Sequence, residues 1–406
     1  MAQFEITTEK LLLDEPVQIR LLGLEPTETI TIQAKFCDDL GQTWASWVEY
    51  KANVQGVVDL AMTKPIDGTY QNPDGMGLFW SMKLYPVENG QSVPFINTVT
   101  KSLKPLSIEL SAKRQEETIS TAVIERKFLA NEVRRIDLQE EGLVATLFIS
   151  STVKQGPVVI VLGGSGGGLG WSHQMAALLA SRGCTTIAIA YFDWQGNDNL
   201  PNQLIEIPVE CIGKAIAHLS LSGSDLSNLA IIGYSKGAEL ALLAAATYSE
   251  IRRVVAYVPS SVVWHGFQMQ GSAQKSSWSY QGQPVSFLSF VDGYFDEAGW
   301  QDKEHVGRAS IPVEKINGSI LLISATNDSV WPSTKMADMI VHRAKSKNQQ
   351  QECKHLRLDG AGHNLSVPFL PTTVFANVQA SVNARSEYLA WQEVLGFLGV
   401  KQGTTS

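Results

Sequence analysis

The chain is poor in the features that mark several large classes of protein. Cysteine occurs four times in 406 residues, at Cys37, Cys184, Cys211 and Cys353, far apart and with no C-x-x-C pair. Neither a disulfide framework nor a zinc knuckle is indicated, and the four read as reduced core thiols. No apolar run approaches the ~18 to 20 residues needed to cross a bilayer. The longest, 240–246 and 320–325, fall well short, so no membrane span is expected. Basic residues are outnumbered 32 to 40, a formal net charge of -8. That balance argues against nucleic acid as the main partner, although a local basic patch can still hold a small anionic ligand. The opening Met1-Ala2-Gln3-Phe4-Glu5 lacks a basic and then apolar leader, and Thr404-Thr405-Ser406 is no peroxisomal or retention tripeptide, so the cytoplasm is the expected location. No metal-ligating cluster stands out; no metal and no cofactor is expected. There is no internal repeat and no signal for an oligomeric state.

What is present is an ordinary globular composition, 44% hydrophobic and 18% charged, long enough for two or three folded units. Short β-type runs at 17–22, 29–36, 44–50, 57–60 and 77–84, broken by turn residues, predict an all-β immunoglobulin-like sandwich over residues 1–115. From about residue 157 the texture changes. Apolar runs at 157–162, 185–191, 228–233, 253–258 and 319–325, with a weaker one near 355–358, alternate with helical patterns, notably 207–219, 237–247, 335–344 and 386–398. That alternation predicts a mostly parallel sheet flanked by helices, an α/β-hydrolase domain over residues 116–406. The interval 113–145 is expected to hold the crossover between domains and the first hairpin of the second. Between 259 and 312 the alternation stops, and this Ser-, Gln-, Gly- and aromatic-rich stretch reads either as a lid or as a surface excursion.

Two G-x-S-x-G strings follow apolar strands, Gly163-Gly164-Ser165-Gly166-Gly167 and Gly233-Tyr234-Ser235-Lys236-Gly237. The pattern alone is weak, so the flanking chemistry decides. Ser235 is followed at once by a helix-forming run, as required for a sharp strand-to-helix turn that lifts a serine Oγ clear of the sheet. Ser165 lies in an otherwise all-glycine run from Gly163 to Gly168, too flexible to hold a strained nucleophile. Such a loop suits converging backbone N–H groups on an oxyanion. Ser235 is therefore the expected nucleophile, with Lys236, Ser165 and Gly166 as the oxyanion hole. A dinucleotide-type phosphate cradle is the weaker alternative for the loop, because no G-x-G-x-x-G with a following acidic residue is completed.

A nucleophilic serine needs a base, and on this fold the order is Ser, then Asp or Glu, then His. His363, in the Gly-rich string Asp359-Gly360-Ala361-Gly362-His363-Asn364, follows the last predicted strand. The other six histidines fit poorly: His173 and His218 precede the nucleophile, His342 falls on a helix face, His355 on a strand, and His265 and His305 lie in the irregular insertion. Asp328, just past the 319–325 strand, is the expected acid. A helix N-cap is the structural alternative for it. The Lys236 side chain is a weaker candidate for contact with an anionic ligand, since that position of the motif often points away from substrate.

Several strings together resemble one family: Leu162-Gly163-Gly164-Ser165-Gly166-Gly167-Gly168-Leu169, Ala190-Tyr191-Phe192, Gly233-Tyr234-Ser235-Lys236-Gly237-Ala238-Glu239-Leu240, Asn327-Asp328-Ser329-Val330-Trp331-Pro332-Ser333 and Gly360-Ala361-Gly362-His363. Asp14-Glu15-Pro16-Val17 and Asp74-Gly75-Met76-Gly77-Leu78-Phe79-Trp80-Ser81-Met82 extend the likeness to the first domain. The chain resembles the acyl-coenzyme A thioesterase and bile acid-CoA:amino acid N-acyltransferase family over nearly its whole length. The resemblance implies a two-domain enzyme acting on a small-molecule acyl-CoA substrate, with its triad on Ser235, Asp328 and His363. It further implies that a serine elbow favours hydrolysis, where cysteine members favour transfer to amino acids. Hydrolysis of oxygen esters by a carboxylesterase or dienelactone-hydrolase-like enzyme, and N-acyl transfer, remain the alternatives. After His363 this chain reads Asn364-Leu365-Ser366-Val367-Pro368-Phe369-Leu370-Pro371, a string less aromatic and less acidic than in familiar members of the family.

Overall fold

A computed structural model describes the chain except residues 8–10, 86–101, 141, 152, 154–155, 197–198, 269–271, 290–302, 349, 375–376 and 401–406. The 404–406 ending thus lies outside the described residues. The chain forms two compact units: Met1–Ala130 with Ser366–Tyr388, and Asn131–Leu365 with Leu389–Ser406.

The first unit is built on β1 (Gln3–Thr7), β2 (Gln18–Leu22), β3 (Thr29–Cys37), β4 (Thr43–Lys51), β5 (Leu106–Arg114) and β6 (Glu117–Arg126). β1 and β2 pair antiparallel with the two-residue strand Val58–Asp59, while β4, β3, β5 and β6 pair in that order in a second antiparallel sheet. Alternation sets the register. Ile30, Ile32, Ala34 and Phe36 of β3 are buried opposite Tyr50, Val48, Ser46 and Trp44 of β4, with polar residues between them. This is the expected sandwich. Its boundary is a correction: a break after residue 115 falls in the tight turn joining β5 to β6, which are paired along their length, and the unit runs on to Ala130.

The strand read at 77–84 is a second correction. Gly77–Trp80 is a helical turn, fully buried, followed by the short strand Lys83–Tyr85. An unbroken apolar run fits either element. Here Asp74 decides, accepting from the Met76 amide (2.8 Å) and the Trp80 indole (2.8 Å) while its carbonyl accepts from Gly77 (3.0 Å).

The second unit carries an eight-stranded sheet. Its elements are β7 (Val133–Glu140), β8 (Leu143–Ser150), β9 (Val158–Leu162), α1 (Gly170–Ser181), β10 (Thr185–Ala190), α2 (Glu210–Leu221), β11 (Leu229–Tyr234), α3 (Lys236–Thr247), β12 (Ile251–Tyr257), β13 (Ser319–Ala325), α4 (Ser333–Lys347), β14 (Cys353–Leu358) and, from Leu389 on, the helix α5 (Ala380–Leu398). The spatial order is β7-β8-β10-β9-β11-β12-β13-β14, in which β8 pairs antiparallel with both β7 and β10 and every other pair is parallel. It is an α/β-hydrolase sheet. All five residues of β9 are buried, as expected of a central strand covered on both faces. From β9 the chain leaves through α1 to β10 on one side, and from β11 through α3 to β12 on the other. The carboxyl ends of β9 and β11 therefore flank a topological switch point, where open α/β sheets place their crevice. The Gly163 loop and Ser235 are what follow those two ends.

The stretch after β12 is core at 259–266 and 276–278, and surface at 281–284 and over most of Lys303–Ala309. Val262, Val263, Trp264, His265 and Trp278 are each at most 1% exposed. Strand His265–Phe267 pairs with Ser272–Ser276, and Trp278 pairs with Ile207. Trp264 and Trp278, which looked irregular in sequence, are core, whereas Tyr280 is exposed. Cysteine also needs correcting: all four are free, but Cys37 is exposed and only Cys184 is fully buried. No described helix is long and apolar enough to cross a membrane, and no group of three or more metal-ligating side chains is found among the described residues.

α1 is fastened to the β7–β8 hairpin by a buried histidine. His173 Nε2 lies 2.8 Å from Thr146 Oγ, and the Thr146 hydroxyl donates to Asp137 (2.8 Å). The hydroxyl proton being committed to Asp137, His173 must donate from Nε2. Burial, helped by Arg135, holds its pKa down to about 4. An unfolded histidine titrates near 6.5, so between about pH 6.5 and 4 the unfolded chain binds the extra proton and stability falls as pH falls. Chemical denaturation is expected to show the wild type losing roughly 2 kcal/mol more than His173→Gln between pH 7 and pH 5. Parallel losses in both proteins would contradict the neutral, buried assignment.

Candidate active site

Ser235 joins β11 to α3 with φ 54° and ψ −117°, a conformation costing about 1 to 3 kcal/mol for a residue with a side chain. The surroundings over-determine it. Its amide donates to the Tyr257 carbonyl (3.0 Å), and its carbonyl accepts from Ala238 (2.9 Å) and Glu239 (3.2 Å). The two motif glycines are required by close approach: a Cβ on Gly233 would run into the Gly237 carbonyl, and a Cβ on Gly237 into the Gly163 carbonyl. The elbow is thereby packed directly on the Gly-rich loop. Ser165 has none of this; it sits in a loop that reaches α1 only at Gly170.

His363 Nε2 lies 2.9 Å from Ser235 Oγ, and Nδ1 lies 2.9 Å from both carboxylate oxygens of Asp328. A carboxylate only accepts, so Nδ1 carries the proton and Nε2 is left to accept from the serine hydroxyl. The Asp328 side chain is 1% exposed and that of His363 6%. Asp328 Oδ1 also accepts from the amides of Val330 (3.0 Å) and Trp331 (3.2 Å). Asp328 thus caps its own turn while holding the imidazole, and α4 itself has no side-chain cap.

An aromatic frame that motif reasoning does not reach holds this chain in place. Trp331 stands edge-on to the His363 ring (5.3 Å, 88°), its indole anchored to the Val258 carbonyl (3.0 Å). Tyr234 donates to the His363 carbonyl (3.1 Å), and Trp171 stacks on Tyr234 (5.2 Å, 17°) while donating to the Leu365 carbonyl (3.0 Å).

In the loop after β9, Tyr191 Oη lies 2.7 Å from the Gly163 carbonyl and 3.1 Å from that of Gly164, and the Trp194 indole donates to the Ser165 carbonyl (2.8 Å). In a planar trans peptide the N–H points opposite the C=O. Clamping these carbonyls turns the amides of Gly164, Ser165 and Gly166 the other way. The Lys236 amide stands at the first residue of α3. The Lys236 side chain, by contrast, is 1% exposed and ion-paired to Glu239, so it does not serve as a surface contact for an anion.

A second Ser–His–Asp chain exists in the same unit. Ser324 Oγ lies 2.7 Å from His355 Nε2, and His355 Nδ1 3.1 Å from Asp338. Ser324 is fully buried within regular strand β13 and also bonds Thr334, and Asp338 is shared with Arg357. This is a staple between β13, β14 and α4. His265 is buried against the Gly266 carbonyl, and the exposed His305 bonds the Phe287 carbonyl. A cavity of about 440 Å³ lined by Ser261, Ile311, Val313, Met339, Ile340 and Arg343 includes no triad residue.

Comparison with known families gives two matches. The N-terminal region of the acyl-CoA thioester hydrolase/BAAT family matches residues 14–140, and its C-terminal region matches residues 207–401. The chain belongs to this family. Membership places it among enzymes of acyl-CoA thioester chemistry. Relatives within the family match almost end to end. The peroxisomal succinyl-coenzyme A thioesterase of Mus musculus is 26% identical over 97% of this chain and 94% of its own length. Acyl-coenzyme A thioesterase 1 of Mus musculus is 27% identical over 96% and 94%. The bile acid-CoA:amino acid N-acyltransferase of Mus musculus is 27% identical over 98% and 97%.

The elbow geometry is directly testable. Gly237→Ala is expected to lower the melting temperature by several degrees or more and to abolish labelling by a fluorophosphonate, because the obstructing group is backbone. Gly396→Ala, in α5 with open space at its Cβ position, is expected to be neutral or to stabilise by up to about 1 kcal/mol. A fully labelled, stable Gly237→Ala protein would refute the close approach.

Proposed function

We propose that this member of the family hydrolyses acyl-CoA thioesters through an acyl-serine intermediate on Ser235, in the second of its two domains. Ser235 Oγ attacks the thioester carbonyl while His363 Nε2 takes the hydroxyl proton. Asp328 keeps the imidazole in the required tautomer and stabilises the imidazolium without becoming protonated. The oxyanion is met by the Lys236 amide and by amides of the loop, with Ser165 and Gly166 as the assigned donors. Removing one such donor costs about 3 to 4 kcal/mol in comparable sites. Collapse of the tetrahedral intermediate breaks the C–S bond, and the imidazolium returns its proton to the departing CoA sulfur. A thiol near pKa 8.5 leaves without much help, so the acid step asks little of His363. Water, deprotonated by the same histidine, then attacks the acyl ester and releases the acid and Ser235.

The observation that carries this reading is the hydrogen-bonded run Ser235–His363–Asp328 at a strained elbow, in a chain of this family. Serine at the elbow supports hydrolysis, since an acyl-serine is an oxygen ester that water resolves, whereas an acyl-cysteine keeps thioester reactivity towards amines. Transfer to an amino acid is the second reading, favoured by the relative of that activity at 27% identity.

Release of free CoA from acyl-CoAs of two to eighteen carbons, followed with a thiol reagent, tests the proposal. Wild type is expected to release CoA and free acid, with Ser235→Ala inactive but folded. Asp328→Asn is expected to fall by ~10⁴, from the wrong histidine tautomer. A conjugate formed on adding glycine or taurine would favour the second reading. Turnover confined to p-nitrophenyl esters would make the enzyme an oxygen-ester hydrolase.

A further inference from the structure

Two buried side-chain charges, one residue (Lys236) and four residues (Glu239) beyond Ser235, take no part in the mechanism above. Lys236 Nζ is 2.8 and 3.0 Å from the two carboxylate oxygens of Glu239 and 3.4 Å from the Trp264 carbonyl, with the Phe267 and Trp278 rings 5.8 and 5.6 Å away. Glu239 accepts in addition from the Trp278 indole (2.6 Å) and the Trp264 amide (3.2 Å). Burial lowers the lysine pKa and raises that of the glutamate, and the donors gathered on the carboxylate oppose that drift.

Stability is a poor reason for such a pair. Withdrawing each ion from water costs several kcal/mol, and well-packed apolar residues of similar volume are often as stable or more so. Position offers a better reason. Lys236 is the first residue of α3, where backbone N–H groups lack intrahelical partners and the turn is held only by what surrounds it. Its amide is the elbow-side donor of the oxyanion hole, and its side chain is pinned to Glu239 in the next turn of the helix and to the Trp264 carbonyl. Trp278 also stands edge-on to Tyr191 (5.5 Å, 65°), whose hydroxyl clamps the Gly163 and Gly164 carbonyls of the loop. One indole therefore touches the support of both halves of the hole.

We propose that Lys236, Glu239 and Trp278 form a positioning network that sets the Lys236 amide and the Gly164–Gly166 amides at one fixed separation for the oxyanion. The three are positioning residues, and the proposal rests on the reading of Ser235 as nucleophile. Misplacement of a reacting group by about 1 Å costs on the order of 10²-fold in rate.

The test uses the full-length protein and an acyl-CoA that the wild type turns over. The double variant Lys236→Met/Glu239→Gln removes both charges without leaving one unpaired. It is expected to lower kcat at least 10-fold with KM within two-fold of wild type, and to slow fluorophosphonate labelling in proportion. Trp278→Phe keeps a ring against Tyr191 but loses the donor to Glu239, and Tyr191→Phe frees the loop carbonyls; each is expected to lower kcat at least three-fold with KM unchanged. A folded double variant with kcat within two-fold of wild type would overturn the proposal and leave the pair merely structural. Should the double variant not fold, wild-type kcat in both Trp278→Phe and Tyr191→Phe would overturn it equally. Ser235→Ala, run alongside, separates the two readings: inactivity there with wild-type kcat in the network variants sinks this proposal alone, whereas CoA release by Ser235→Ala sinks both.

Discussion

The structure depends on one backbone constraint, the positive φ at Ser235 held between two contacts that tolerate no side chain. Gly233 approaches the first turn of α3, and Gly237 approaches the carbonyl of Gly163. The first contact makes the turn sharp enough to raise Oγ above the end of β11. The second presses the elbow onto the loop after β9, so that Ser235 and that loop are held against each other. The strand order makes this economical. β9 and β11 are neighbours whose connections leave in opposite directions, and the crevice between them is already open before any side chain is placed.

Around that constraint the rest of the site is support. Asp328 satisfies its own turn and the imidazole with one carboxylate. Trp331, Tyr234 and Trp171 fix the ring of His363 and the carbonyls of His363 and Leu365, and so hold the imidazole in one orientation. Ser324, His355 and Asp338 show that a hydrogen-bonded Ser–His–Asp run is not sufficient. There the serine lies in an ordinary strand with no exposure and a second hydroxyl partner, so the same connectivity serves only to join secondary structure.

Much of this was legible in the sequence. The central strands announced themselves as apolar runs, and Ser235, Asp328 and His363 came together from motif, order and fold because each sits at a strand end. What stayed hidden has physical reasons. Trp171, Tyr234 and Trp331 meet only in the folded chain, and nothing in a single sequence marks a stacking partner. Lys236 and Glu239 stand three apart on a helix, a spacing that carries no sign of burial in sequence; Trp264 and Trp278, which bond them, are brought there only by the fold. The strands beside these two residues were themselves obscured, because short strands broken by Ser, Gln and Gly carry no periodicity. At Gly77–Trp80 an unbroken apolar run, read as a strand, is a helical turn because Asp74 accepts from the Met76 amide and the Trp80 indole.

The central claim is that Ser235 carries the acyl group. Rapid quenching of stoichiometric enzyme and acyl-CoA in acid, followed by mass analysis of the intact protein and its peptides, measures this directly. The account predicts a transient mass increase equal to the acyl group, confined to the peptide containing Ser235 and absent in Ser235→Ala. Turnover with no acylated protein at any quench time, or the acyl group on another residue such as Ser165, would contradict it.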